Sequence, residues 1–191
     1  MINYGNRGDW LEEAIEVSNK QYLYQGKALV QKIATPVKVL NINQETGRIT
    51  NGFYEKKSTV DYIGIWKGRS LAFDAKETKV ETRFDLSNLK EHQYLFLSSW
   101  VAQGGIGFLI VHFVTLDETY YLPFEVLDRY WQSMLDGGRK SIQYDVIAKE
   151  EHKIGSYGLI VIDYLSVIKD VIVDEKTSYS NSPENLQATG N

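Results

Sequence analysis

A chain of 191 residues without a cysteine can form no disulfide, no thiolate zinc site and no cysteine nucleophile, and it suits a reducing cytoplasm. With 43% hydrophobic and 24% charged residues it reads as one globular domain with room for a core, carrying neither a signal peptide nor a membrane-spanning run. The net charge of −4 offers a polyanion no overall attraction, although four acids against Lys176 put much of it in residues 170–191, so any nucleic-acid contact would rest on local patches.

Residues 10–24 carry apolar side chains at near-helical spacing, with Asp9 as N-cap, Glu12 at the capping-box position and Gly26 as the stop. Residues 28–34 read as a strand ended by Thr35-Pro36. Residues 37–42 and 48–54 alternate apolar and polar around Thr46-Gly47, the pattern of a hairpin with polar exposed faces. Residues 58–66 and 70–76 form the arms of a further hairpin, joined by Lys67-Gly68-Arg69. A basic-acidic stretch with no assigned element follows, then a helix over 88–97 that ends near Gly104-Gly105. Residues 106–113 are a continuous apolar run, as in a strand buried on both faces. A short strand at 120–123 and a helix over 124–134 come next, and from Ser178 onward the composition predicts a disordered tail. This order predicts an α/β fold with a mixed central sheet flanked by helices.

Little in the chain resembles chemistry except Asp61 together with Asp74-Ala75-Lys76. Strand alternation points Asp74 and Lys76 to one face and Phe73 and Ala75 to the other. Two carboxylates beside an ammonium suit a hard divalent cation and phosphodiester hydrolysis, with Lys76 near the attacking water or the scissile phosphate. The same residues also read as an exposed Asp–Lys pair worth only ~0–1 kcal/mol. Thr59, two residues before Asp61, could hold a metal-bound water. Gln93 could offer an oxygen or a donor, and Glu12 an outer carboxylate; alone, the latter two also read as ordinary helical surface residues.

A series of words in fixed order resembles the RecU family of Holliday junction resolvases from Gram-positive bacteria and their phages, within the PD-(D/E)xK nuclease class. They are Asn3-Tyr4-Gly5-Asn6-Arg7-Gly8 with Leu11-Glu12, Thr35-Pro36, Ser58-Thr59-Val60-Asp61-Tyr62-Ile63-Gly64, and Phe73-Asp74-Ala75-Lys76-Glu77-Thr78. Glu91-His92-Gln93, Gln103-Gly104-Gly105, Tyr120-Tyr121-Leu122-Pro123, Gly137-Gly138-Arg139-Lys140-Ser141-Ile142 and Ile162-Asp163-Tyr164-Leu165 continue it.

The resemblance implies a restriction-endonuclease-like nuclease domain over residues 1–170, with a protruding β-hairpin stalk at about 33–53, and an acidic tail over 171–191. It implies Mg²⁺, with Mn²⁺ as a substitute, held at Thr59, Asp61, Asp74 and Gln93, and Lys76 as transition-state stabiliser. It further implies a homodimer that nicks opposed strands of a four-way DNA junction in recombination and repair, with a recombinase as a further partner. The family usually has Glu where this chain has Asp74, a carboxylate one methylene shorter.

Arg7, Lys56, Lys57, Arg139 and Lys140 are the candidate DNA contacts, though six acids share the 55–90 window and loop charges are equally ordinary. His112, inside the apolar strand, reads as a hydrogen-bonded structural residue. A non-catalytic junction clamp and a nuclease for other DNA structures remain the alternatives.

Overall fold

A computed structural model describes residues 10–54 and 59–168. Helix α1 (Trp10–Tyr24) buries Leu11, Ala14, Ile15, Ser18, Asn19 and Tyr22 along one stripe, and Glu12 and Glu13 complement the dipole of its first turn. It stops where the sequence predicts: Gly26 takes φ 65°, and Lys27 N–H reaches back to the Tyr22 carbonyl (2.8 Å) while Gly26 N–H bonds Leu23 (3.0 Å).

Strand β1 (Ala28–Lys32) leads to β2 (Val37–Ile42) and β3 (Ile49–Tyr54), then β4 (Tyr62–Trp66), β5 (Arg69–Thr78) and the short β6 (Arg83–Asp85). Helix α2 (Glu91–Ala102) precedes β7 (Ile106–Phe113) and β8 (Glu118–Pro123); α3 (Phe124–Leu135), β9 (Ser141–Gln143) and α4 (Tyr144–Ile147) follow. The central sheet has the order β1-β4-β5-β7-β8. Only β5 and β7 pair in parallel, and the crossover between them runs through β6 and α2. The predicted mixed sheet flanked by helices is the architecture observed.

The turn between β4 and β5 is set by Lys67 (φ 48°) and Gly68 (φ 78°), the positive pair that matches strand twist in a two-residue hairpin. On one face of the sheet, Leu71, Phe73, Phe108 and Ile110 pack against α1 and the segment 154–168. On the other, Ala72, Leu109 and Val111 pack against α2 and α3. β7 is buried along nearly its whole length, as its continuous apolar run predicts.

Strands β2 and β3 form a separate two-stranded sheet, and every β2 residue is exposed. At its tip the Asn43 side chain accepts from Glu45 N–H (2.9 Å) and Thr46 N–H (3.0 Å), and Gly47 supplies φ 68°. The hairpin expected at 33–53 therefore exists, with its paired strands beginning at Val37. The pieces that sequence pattern left unassigned are β6, β9 and α4. Among the described residues no helix is long and apolar enough to cross a membrane.

Residues 162–165 clamp α1. Ser18 Oγ accepts from Ile162 N–H (2.9 Å), Tyr22 Oη donates to Asp163 Oδ1 (2.7 Å) and accepts from Leu165 N–H (3.3 Å), and Tyr164 Oη donates to Asn19 Oδ1 (2.5 Å). Removing the Tyr22 hydroxyl in Tyr22→Phe strands a buried N–H and is expected to cost about 1–3 kcal/mol. The urea midpoint should fall with its slope unchanged; a shift below about 0.5 kcal/mol, the size of an ordinary surface substitution, would show that the clamp does not depend on this group.

Candidate active site

Asp74 occupies the middle of β5, the central strand, and has no solvent exposure. Alternation sends Phe73 and Ala75 into the α1-side core and turns Asp74 and Lys76 toward α2. The pairing of Tyr62 with Phe73 brings Asp61, one residue before β4, alongside Asp74, and Asp61 Oδ2 accepts from Ala75 N–H (3.2 Å). The Asp61 carbonyl in turn accepts from Ile33 N–H (2.8 Å), so β1 also fixes this residue.

Asp74 has two close side-chain partners. The Lys76 ammonium lies against Oδ1, and the Gln93 amide nitrogen donates to Oδ2. Gln93 is set by its own helix: its Oε1 accepts from Lys90 N–H (3.1 Å) at the start of α2. A backbone N–H can only donate, so this bond fixes which end of the amide faces Asp74. Of the two roles open from sequence, oxygen or donor, the side chain fills the donor's.

Burial pushes the Asp74 pKa up to about 8, with the neighbouring Asp61 carboxyl adding to the rise and Lys76 opposing it. Despite the ion-pair contact, buried Asp74 Oδ1 receives no hydrogen bond of acceptable geometry. An under-satisfied carboxylate oxygen beside a second carboxylate is an arrangement that a bound cation would complete. The donors are hard oxygens, which fits a divalent ion of the Mg²⁺ type and not a thiolate-seeking metal. Among the described residues no cluster of three His, Cys, Asp or Glu forms.

Glu12 is close to this centre but otherwise engaged. Lys32 Nζ pairs with Glu12 Oε2 (2.5 Å) and Glu16 Oε1 (3.4 Å), bridging two acids one helical turn apart. Lys32 is the strand partner of Tyr62, whose hydroxyl donates to the Glu12 carbonyl (3.4 Å). Burial, then the fields of Glu12, Glu16, Asp61 and Asp74, hold the Tyr62 hydroxyl well above its ordinary pKa, so both acid pairs surround one buried ring. Lys32 was not singled out by sequence; only the β1–β4 register reveals its place.

Thr59 is exposed in the bend before β4, outside the strand whose alternation would have aligned it with Asp61. Arg139 and Lys140 are exposed after Gly137-Gly138, and the Lys140 carbonyl accepts from Leu86 N–H (3.0 Å), which brings this loop to the turn before α2. Arg7, Lys56 and Lys57 lie outside the described residues. An open cavity of about 470 Å³ lies past Lys76, but its lining of Glu77, Asp85 and Asn88 excludes Asp61 and Asp74.

The raised Asp74 pKa has a definite sign in folding. The native state keeps a proton that the unfolded chain releases near the ordinary value of 3.8, so the contribution of this group to the stability of the metal-free protein should fall as pH rises from about 4 to about 8 and then level. Glu118, held down to about 2 by Tyr144 and Lys153, acts in the opposite sense at lower pH, and His112 and His152, whose pKa values burial lowers, oppose Asp74 inside the window, so its share is read as a difference between the parent chain and Asp74→Asn. In EDTA, the urea midpoint of the parent chain minus that of Asp74→Asn should fall across this range; a constant difference would remove Asp74 as a source of pH dependence.

The family model described as "RecU: Recombination protein U" matches residues 6–170. The Holliday junction resolvase RecU of Oenococcus oeni is 39% identical over 171 residues, covering 88% of this chain and 87% of its own. That of Oceanobacillus iheyensis is 38% identical over 168 residues, covering 86% of each. Among solved structures, the archaeal Holliday junction resolvase Hjc of Archaeoglobus fulgidus superposes with a TM-score of 0.39 at 13% identity, over 70% of this chain and 93% of that one. With a family model spanning nearly the whole fold and relatives this similar along most of their length, the chain belongs to the RecU family of recombination proteins.

Proposed function

We propose that this protein is a metal-dependent endodeoxyribonuclease that resolves four-way DNA junctions in recombination and repair. The observation that carries the reading is the fully buried Asp74 beside Asp61 and Lys76, in a chain whose family relatives are named Holliday junction resolvases. Asp61 and Asp74 hold a divalent cation, Mg²⁺ by the hardness of its donors, with Mn²⁺ as a substitute. Thr59 and Gln93 are the neutral groups that would complete the set, Gln93 by way of Asp74 in its present orientation.

When bound, the cation supplies positive charge against the scissile phosphate. Lys76 adds a second positive charge where negative charge grows on the phosphoryl oxygens. Water attacks phosphorus, the bond to the 3′ oxygen breaks, and that oxygen takes a proton, leaving 5′-phosphate and 3′-hydroxyl ends. Gln93 keeps Asp74 in one rotamer throughout, and Lys32 offsets the Glu12 charge that would otherwise repel the phosphate. Two copies related by a two-fold axis nick opposed strands. The exposed β2–β3 hairpin is the stalk that enters the junction, Arg7, Lys56, Lys57, Arg139 and Lys140 contact the backbone, and residues 1–170 form the nuclease domain ahead of the tail. The enzyme works in the cytoplasm.

Purified protein with Mg²⁺ should cut synthetic four-way junctions into paired nicked duplexes and leave linear duplex and flap substrates largely intact. Intact junctions, or equal cutting of all three substrates, would overturn the assignment. Asp74→Asn should lower kcat at least about a hundredfold while junction binding persists. Lys76→Ala should lower kcat about 10²–10³-fold with little change in affinity, as expected for a group that acts on transition-state charge; a loss confined to KM would place Lys76 in binding alone.

A further inference from the structure

Trp10 opens α1, and 40% of its surface stays in solvent. Its ring lies over the His112 imidazole, with centroids 4.7 Å apart and planes tilted by 40°. His112 is itself buried and anchored through Nδ1, 3.0 Å from Thr119 Oγ1 on the neighbouring strand β8. Burial lowers the His112 pKa, so the imidazole beneath the indole is uncharged at neutral pH. The indole is therefore a half-covered aromatic plate on a rigid support.

Its position relates it to the proposed chemistry. His112 pairs across the parallel β5–β7 ladder with Glu77, the residue after Lys76. Strand spacing and rise then put the His112 and Lys76 α-carbons about 6 Å apart. Lys76 faces the α2 side and Trp10 covers the α1 side, at the end of the sheet where β5 stops at Thr78. Glu13 shares the first turn of α1 with Glu12, whose charge Lys32 offsets, and Glu77 is the ladder partner of His112. An indole held flat on a buried imidazole with its outer part in solvent offers the stacking surface that a nucleobase fits.

We propose that Trp10 is a stacking site for an unpaired nucleobase, one to three nucleotides from the cleaved phosphodiester, reached as the strand rounds the end of the central sheet. The proposal rests on the nuclease reading of the Asp61–Asp74–Lys76 site and adds a recognition element to it. Every base has a π face, so the site favours displaced bases without reading their sequence. Bases at a strand-exchange point are the ones free to leave the stack.

The test uses synthetic four-way junctions with 2-aminopurine at each of the three nucleotides on either side of the cleaved position. The full chain carries Asp74→Asn to prevent cutting, combined with Trp10, Trp10→Phe, Trp10→Leu or Trp10→Ala. Fluorescence at one or two positions should be quenched by Trp10 and by Trp10→Phe, and recover with Trp10→Leu and Trp10→Ala. Junction affinity should fall about tenfold for those two variants, the order expected of one lost aromatic stack. Trp10→Leu keeps an apolar cover on His112, so Leu behaving like Trp would reduce the residue to a cap and overturn the proposal, as would quenching that survives in all variants. Unaltered chain that neither binds nor cuts junctions would instead remove the nuclease reading itself.

Discussion

A carboxylate wholly out of water at the centre of the central strand is the constraint to which the rest of the molecule answers. Asp74 could not remain there as an isolated charge, because burying one without partners costs several kcal/mol even after relaxation. Its raised proton affinity measures what its surroundings fail to compensate. Gln93 and Lys76 bring a donor and a positive charge, yet Oδ1 is still left without a hydrogen bond. A fold optimised for stability alone would place Val or Leu at this point. Retaining the acid is the kind of local sacrifice that accompanies a working site.

The two sheet faces divide the labour. The α1 side is sealed by stacked rings, Tyr62 on Phe73 (4.8 Å) and Phe73 on Phe108 (4.6 Å), and by the clamp of residues 162–165 on Ser18, Asn19 and Tyr22. That rigid side carries the strand from behind. The α2 side supplies the polar partners, and α2 is held in turn by Tyr94, whose ring stacks on Trp131 at 4.4 Å and whose hydroxyl donates to Asp128 (2.5 Å). The residue after Gln93 thus anchors the helix, and the amide that meets Asp74 inherits its position from packing on α3.

Most of this fold was legible because its signals are local. Gly26 ends α1, Lys67-Gly68 turns β4 into β5, and the run from Ile106 to Phe113 is apolar on both faces because both are covered. The same local reading of residues 58–66 and 70–76 as arms of one hairpin places Asp61 beside Asp74 and Lys76, and the family words add their role. What stayed hidden depends on pairing between distant segments. β6 and β9 are three residues each and exist as strands only opposite one another. Tyr144 of α4 and Lys153 reach Glu118 with no spacing in sequence to announce them, and join Tyr120, two residues further along β8. Lys32 became a neighbour of the site only through its register with Tyr62, and the donor role of Gln93 only through the N–H of Lys90. Thr59 shows the converse: an i, i+2 argument has force inside a strand, and β4 begins after it.

One backbone hydrogen bond has a mechanical consequence. Ile33 N–H is bound to the Asp61 carbonyl, and four residues later the chain enters the exposed hairpin. Next to it β1 and β4 are in unusually close contact, since a Cβ on Gly64 would lie 2.5 Å from the Leu29 carbonyl oxygen. The strand that leads into the hairpin is thus tied to the peptide that carries Asp61. A strand of the hairpin's length extends about 20 Å, so a force that swings the tip by about 2 Å rotates the root by about 6°. A displacement of the hairpin and the orientation of the Asp61 peptide are thus linked through the same backbone hydrogen bond.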